Sequence, residues 1–324
     1  MSTLKKFVIG LLVLIVLIPF GVFGYLYFKL NTMHDDNADN SLLNKTDYKE
    51  EKGITNILLV GTDGRNSNDK GTRSDSMMIL TVDTKNNSLK LTSLARDTYV
   101  DIPGHGMEKL THAYAYGGIN LLVQTIENNF KLDIQDYAIV DFFSFMDIVD
   151  AVGGLTIDVK SSELNQLRKY TKECYYLNTN KNKGNLKFIN SAGYQKLNGY
   201  QTLAYARIRY NDSAMARDER QRQIMQALAN SFKSLPVSKY SDLVDTILPY
   251  VKTNMSPMNI IKLATKALSI GNFNIKQLEF PVEKYSTGGI VGKDGWVLQF
   301  NSDKNLPILH DFIFKNIMYN ESNY

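Results

Sequence analysis

The chain has 324 residues, 44% hydrophobic and 22% charged, with 37 lysines and arginines against 33 acidic residues for a net charge of +4. This length bounds it to one large domain or two modest ones, and so weak a positive balance makes no case for nucleic acid. Its single cysteine, Cys174, excludes an internal disulfide, and the histidines at 34, 105, 112 and 310 lack the spacing of a structural zinc site.

Lys5 and Lys6 precede a nearly uncharged run from Phe7 to Phe28, long enough to cover the ~20 residues that cross a bilayer. Tyr25 and Tyr27 mark its outer interface, and the lysines ahead of it favour a cytoplasmic N-terminus. A cleaved signal peptide is the alternative; the apolar run is long for one, and no small-x-small site follows. Residues 1–29 are therefore expected as a cytoplasmic stub and transmembrane helix of a single-pass cell-membrane protein. Residues 30–50, acidic and rich in Asn, are expected as a solvated extracytoplasmic stalk. That leaves 51–324 as one globular domain outside the cytoplasm.

Within the domain, Asn56–Asp63 is an apolar run ending in turn residues, which predicts a buried strand opening into a loop. Met77–Asp83 and Ser88–Ser93 predict two more strands, joined as a hairpin at Lys85-Asn86-Asn87. Ile119, Leu122, Ile126 and Phe130 fall at helical spacing. A second helix is predicted from Phe142 to Val152, stopped by Gly153-Gly154 before a strand at Leu155–Val159. Residues 160–190 are polar and predict a mobile insertion. Ala214 to Phe232 predicts a helix with Ile224, Met225, Leu228 and Phe232 as its apolar stripe. Strands alternating with helices give an α/β class with a mixed sheet covered on both faces. The tail after 235 continues the alternation without a separate domain.

Charged residues crowd the ends of apolar elements in Gly61–Arg65, Arg73–Asp75, Ser93–Asp97, Arg207–Arg209 and Arg217–Gln221. Singly, each reads as turn chemistry or a helix cap. Together they suggest one rim of the sheet, where open α/β sheets place their ligands. Asp63 and Asp75 are a pair suited to Mg²⁺, which takes one or two carboxylates plus phosphate oxygens. Arg207 and Arg209, two apart, face the same way in an extended segment. Arg217 and Gln221, four apart, share a helix face near an N-terminus that favours anions. The planar fork of arginine suits phosphate. A set of surface ion pairs is the bland alternative.

These residues resemble the LytR-CpsA-Psr family of cell-envelope proteins. The likeness runs from about Thr55 to Phe232, through Leu-Leu-x-Gly-x-Asp-x-Arg, Arg-Ser-Asp, Ser-x-x-Arg-Asp, Lys-x-x-x-Ala-Tyr-x-x-Gly-Gly, Ala-x-x-Tyr-x-Arg-x-Arg and Arg-x-x-Arg-Gln-x-Gln. The resemblance implies an α/β/α sandwich around a mixed central sheet, with a long apolar pocket. It implies a phosphotransferase that moves an anionic glycopolymer from a polyprenyl pyrophosphate carrier in the membrane lipid to peptidoglycan, forming a phosphodiester at N-acetylmuramic acid. A pyrophosphate hydrolase and a non-catalytic lipid-binding module in wall assembly are the alternatives.

Position by position, the resemblance implies Mg²⁺, with Mn²⁺ as second choice, on Asp63 and Asp75. It implies pyrophosphate contacts by Arg65, Arg96, Lys109, Arg207, Arg209 and Arg217, supported by Gln221. Arg96, Asp75 and Asp97 form the expected catalytic set, with Asp97 orienting Arg96 more than acting as base. Leu122, Ile126, Phe142, Phe143, Phe145 and Met146 are candidates for the prenyl pocket, or else ordinary core. Two departures stand out: Ala95 where the family has proline, and Ala216 where it has glycine.

Overall fold

The computed structural model describes residues 25, 27–35, 48, 51–64, 72–180, 183–209, 214–234, 236, 245–271 and 274–324. The expected span Phe7–Phe28 and most of the stalk lie outside the described residues. Among the described residues no helix is long and apolar enough to cross a membrane.

The chain begins its domain with β1 (Ile54–Thr62), β2 (Ser74–Asp83) and β3 (Ser88–Leu94), followed by a small hairpin, β4 (Tyr99–Ile102) and β5 (Gly106–Lys109). Next come α1 (Leu110–Phe130), β6 (Asp136–Asp141), α2 (Phe142–Ala151), β7 (Leu155–Val159) and α3 (Leu164–Leu177). The second half holds β8 (Gly193–Leu197), α4 (Gly199–Ala206), α5 (Ala214–Ser234), β9 (Lys252–Thr253), α6 (Pro257–Ile270) and β10 (Lys276–Phe280). The β11 (Ser286–Val291) and β12 (Gly295–Phe300) hairpin and α7 (Ser302–Lys315) close it.

The central sheet is mixed, in the order β10-β3-β2-β1-β6-β9. β1 pairs antiparallel with β2 and parallel with β6, and β10 adds in parallel to β3. Alternation along β1 gives each face its own core. Leu58 and Val60 pack with Ile119, Leu122 and Ile126 of α1 and Ile308, Leu309 and Phe312 of α7. Ile57 packs on the opposite face with Ile270 of α6, backed by Ile260 and Leu263. A strand apolar on both faces is what a sheet covered by helices on both sides requires.

A satellite core sits at the sheet's end, built from α2, α3, α4 and the β7–β8 ladder around Met146, Leu155, Leu167, Cys174 and Leu203. Gly199 makes it close-packed: a Cβ there would lie 2.2 Å from the Met146 carbonyl oxygen. Its N–H instead donates to Asp150 at 2.7 Å, locking α4 onto α2.

Three expectations change. The stretch 160–190 is no mobile insertion over its length: α3 occupies Leu164–Leu177 and buries Leu167, Thr171 and Cys174. Its polarity belongs to the outer face of an amphipathic helix. Leu122 and Ile126 are fully buried core beneath the sheet, on the face of α1, packed with Leu58, Val60 and Phe312. The stretch expected as a free stalk starts docked, since Leu30 and Met33 pack on Leu248, Val251 and Ile260. Thr253 donates to the Met33 carbonyl at 2.8 Å and Asp35 donates back to Thr253 at 2.9 Å.

Two buried ionisable side chains lie within these layers. Lys90 of β3, wholly buried, donates to Asp83 at 2.6 Å and to the Ile313 carbonyl of α7 at 2.7 Å. Glu127 on α1, 1% exposed, accepts from the Ile134 N–H at 2.9 Å. Burial pushes its carboxyl up to about 7, with that hydrogen bond working against the shift. A raised folded-state value means the stabilisation is complete below the unfolded value of 4.5 and is lost as pH rises through about 7. The loss should be about 3 kcal/mol. Glu127→Gln should therefore flatten that part of the fall in urea-unfolding free energy between pH 5 and 7.5. An unchanged fall in the variant would show that Glu127 is not its source.

Candidate active site

Each candidate residue sits where an element ends. β1 and β2 shift register between Gly61 and Thr62, so that Asp75 becomes the extra residue of β2 just before the pairing resumes at Ser74. Asp63 and Arg73 then close the loop mouth: Asp63 N–H donates to the Arg73 carbonyl at 3.2 Å, and Arg73 N–H donates to Asp63 Oδ1 at 2.8 Å. Arg65 lies outside the described residues.

Asp75, the second residue of β2, is the hub. Its carboxylate accepts from Arg96 on one oxygen and from Arg209 Nη2 at 3.3 Å on the other. Its backbone carbonyl accepts from Arg217 Nη2 at 2.7 Å. Three guanidinium groups from three distant segments thus meet at one residue. Arg96 extends the chain of charge: its Nε lies 3.5 Å from Asp97, whose other oxygen lies 3.8 Å from Lys109 Nζ. Asp97 therefore holds Arg96 and Lys109 in place.

Ala95, in the position expected as proline, donates its N–H to the Phe280 carbonyl at 2.9 Å, a bond that proline lacks. Thr98 braces the same turn, donating its hydroxyl to the Ala95 carbonyl at 2.6 Å.

Arg207 and Arg209 do not form the extended pair expected. Arg207 caps the C-terminus of α4 with φ −94° and ψ −1°. Its guanidinium lies over the rings of Phe142 and Tyr170, at 5.7 and 5.6 Å, and reaches Cys174 Sγ at 3.5 Å. Tyr170, in the stretch read as an insertion, is a site residue that sequence reasoning missed. Arg220 fixes the same turn from behind, bonding Glu163 at 2.7 Å and the Ile208 carbonyl at 3.2 Å.

Two cavities meet at this cluster. One, of about 310 Å³, is lined by Asp63, Asp75, Phe143, Met146 and Tyr170 among others. The second, of about 340 Å³, runs between the sheet and α5, with Leu59, Met78, Val140, Phe145, Met225, Leu228 and Phe232 on its walls. Asp75, Phe142, Leu203, Arg207 and Arg209 line both. Arg217 and Gln221 stand at one end of the α5 wall and Phe232 at the other, a span of about 22 Å at the helical rise. Of the residues expected to line a prenyl pocket, Phe142 and Phe145 face this apolar cavity, while Phe143 and Met146 face the polar one.

Behind the arginines lies a buried ionic layer that sequence reasoning also missed. Asp218 Oδ1 is 3.9 Å from Arg217 Nε, and Arg222 bonds Glu279 at 3.2 Å. Burial pushes Asp218 up to about 7, against the opposing pull of Arg217. Arg217 Nε is buried with no hydrogen-bond partner among the described residues, and such a donor calls for an acceptor. The mixed charges of Arg217–Gln221 were a sequence sign of this layer's Arg217–Asp218 half.

The donor set fits an anion with an apolar tail. It also fits a hard divalent cation, since Asp63 and Asp75 line one cavity. Among the described residues no group of three or more His, Cys, Asp or Glu side chains could hold a metal alone. Such an ion would complete its shell from phosphate oxygens and water.

Known proteins share this chain's sequence and fold. The chain is 32% identical over 269 residues, 80% of each chain, to the polyisoprenyl-teichoic acid–peptidoglycan teichoic acid transferase TagT of Bacillus subtilis. It is 41% identical over 206 residues, 62% of this chain and 60% of the relative, to the transferase TagU of Bacillus anthracis. The structure of TagT bound to LI-WTA superposes with a TM-score of 0.66 at 27% identity, covering 83% of this chain and 93% of that one. Residues 21–306 match the LytR_cpsA_psr family, to which the chain therefore belongs.

Proposed function

We propose that this domain works outside the cytoplasm, tethered by the span Phe7–Phe28, as a transferase of lipid-linked glycopolymer. It moves an anionic chain, such as a teichoic acid, from polyprenyl pyrophosphate to the C6 hydroxyl of N-acetylmuramic acid in peptidoglycan. The observation that carries this reading is the guanidinium cluster at the head of an apolar pocket. A charged head and a long hydrocarbon tail are the two halves of a polyprenyl pyrophosphate. The names of the relatives, which join polyisoprenyl-teichoic acid to peptidoglycan, support the same pairing.

The pocket wall along α5 takes the prenyl chain, each buried methylene contributing about 0.8 kcal/mol. Arg96, Arg207, Arg209 and Arg217 face the pyrophosphate, where charge develops as the leaving phosphate departs. Asp63 and Asp75 hold Mg²⁺ or Mn²⁺, which supplies charge neutralisation on the phosphoryl oxygens. The acceptor oxygen forms a bond to the sugar-proximal phosphorus as the bond from that phosphorus to the bridging oxygen breaks. The hydroxyl proton is lost to a base, and polyprenyl phosphate leaves. Burial of Arg217, Asp218 and Arg222 keeps water from screening these charges.

The full chain, given a polyprenyl-pyrophosphate glycan and peptidoglycan oligomers, should yield a phosphodiester-linked product. Arg96→Ala should lower kcat about 100-fold. Donor consumed equally fast without acceptor would identify a hydrolase and remove the transfer reading. Chelation with EDTA should stop product formation and added Mg²⁺ or Mn²⁺ restore it; activity indifferent to EDTA would count against the cation. Leu228→Glu, which sets a charge on the apolar wall, should weaken binding of a long-chain prenyl pyrophosphate at least about tenfold. Unchanged affinity would mean that the tail lies elsewhere.

A further inference from the structure

One group of side chains beside the site has no part in holding the lipid head or tail. Glu108, His112 and Tyr116 stand four residues apart along β5 and the first turns of α1, on one face. Glu108 Oε2 accepts from the Tyr116 hydroxyl at 2.7 Å and contacts His112 Nδ1 at 2.7 Å. His105 stacks on the Tyr116 ring with centroids 4.3 Å apart and planes 15° from parallel. Tyr116 is nonetheless 46% exposed, and Trp296, from the neighbouring β12, is 44% exposed.

The backbone presents this ring on purpose. Gly117 and Gly118 leave helical geometry, and Gly118 takes φ +64°, so α1 breaks directly after Tyr116. The short N-terminal piece is thereby aimed independently of the long buried one. That piece abuts the phosphate-binding rim. Thr111 N–H donates to the Arg96 carbonyl at 3.0 Å, and its hydroxyl donates to the carbonyl of Ser74, next to Asp75, at 2.8 Å. From Thr111 to Tyr116 is about 7.5 Å of helical rise. The hydroxyl of Tyr116 is pushed above the ordinary phenol range chiefly by its bond to Glu108, with the Arg73 charge acting the other way. Arg73 is the residue that holds Asp63.

We propose that the Tyr116–His105 stack, fixed by Glu108, is the platform on which an amino-sugar ring of the acceptor glycan strand lies. A pyranose offers one apolar C–H face and a rim of hydroxyls. An aromatic face ringed by carboxylates matches both: the ring takes the C–H face, and Glu108 and Asp294 accept from hydroxyls. Asp294 is in place for this, accepting from the Tyr99 hydroxyl at 3.1 Å. Those carboxylates also exclude the bilayer as occupant, because burying them in hydrocarbon is costly. The ring is fixed before any sugar arrives, so little ordering cost remains on binding. The inference rests on the transferase reading, which needs the acceptor on the polar side of the rim, away from the apolar pocket.

The test uses the full chain in detergent and peptidoglycan glycan strands stripped of stem peptides by an amidase, with free stem peptide as the second probe and no donor present. Wild type should bind the strands, Tyr116→Ala should bind them about tenfold more weakly, and Tyr116→Phe should stay within about twofold. Prenyl pyrophosphate affinity should not move in either variant. If Tyr116→Ala lowers the thermal midpoint, His105→Ala, which removes an exposed ring from the stack, takes its place. Strand binding unaltered by these substitutions, or wild-type binding carried by the stem peptide alone, would overturn the platform. Strand binding lost in Tyr116→Ala while wild type makes no transfer product would leave the platform standing and remove the transferase reading.

Discussion

The site depends on a single counter-charge. Arg96, Arg209 and Arg217 arrive from the end of β3, the segment after α4 and the start of α5, and without Asp75 their guanidinium groups would repel one another. Asp75 meets all three, two through its carboxylate and one through its backbone carbonyl. Its position is set in turn by the bulge where β1 and β2 lose register. A local irregularity in strand pairing thus decides where three remote segments converge. Arg207 and Lys109 add to these three cations while Asp63 and Asp97 add to Asp75, so cations outnumber carboxylates around the rim.

That surplus has consequences behind the rim. Arg217 is buried, and burial lowers its affinity for its proton while Asp218 raises it. Asp218 lies 3.9 Å away, and Arg222 and Glu279 continue the alternation to β10. Helix α5 therefore carries two kinds of work on one element. Its N-terminal turns bring charge to the phosphate end, and its later turns supply the apolar wall with Met225, Leu228 and Phe232. One helix fixes the distance between head and tail sites better than two loops could.

How much of this was legible in the sequence follows from what each signal measures. The β1 to β3 strands and the apolar stripe of α5 were readable because hydrophobic periodicity reports burial directly. The joining of Asp63, Asp75 and the arginines on one rim was approachable only because several charged stretches fell at element ends together, since each alone reads as turn chemistry. The satellite core was not readable. α3 keeps its apolar residues on one narrow face, so its composition looked like a solvated insertion. Arg207 was misplaced for a related reason: a helix C-cap and an extended strand leave the same two-residue spacing in the sequence. Leu122 and Ile126 show the limit from the other side, since an apolar helical stripe says that a face is buried but not against what.

The described residues leading out of the expected span are docked on the domain. Leu30 and Met33 bury themselves against Leu248 and Val251. Val251 and Ile247 also line the apolar pocket, so the same short stretch forms the pocket's wall and the seat of the tether segment. Tyr25 and Lys29 reinforce the seat through Asp245, the lysine at 3.1 Å. Exposed ion pairs such as this one contribute little stability, and the buried Leu30 and Met33 carry the attachment. The pocket and the seat of the tether segment are thus built on the same close-packed stretch. On the proposed reading, the wall that grips a prenyl chain is the wall that the membrane anchor holds.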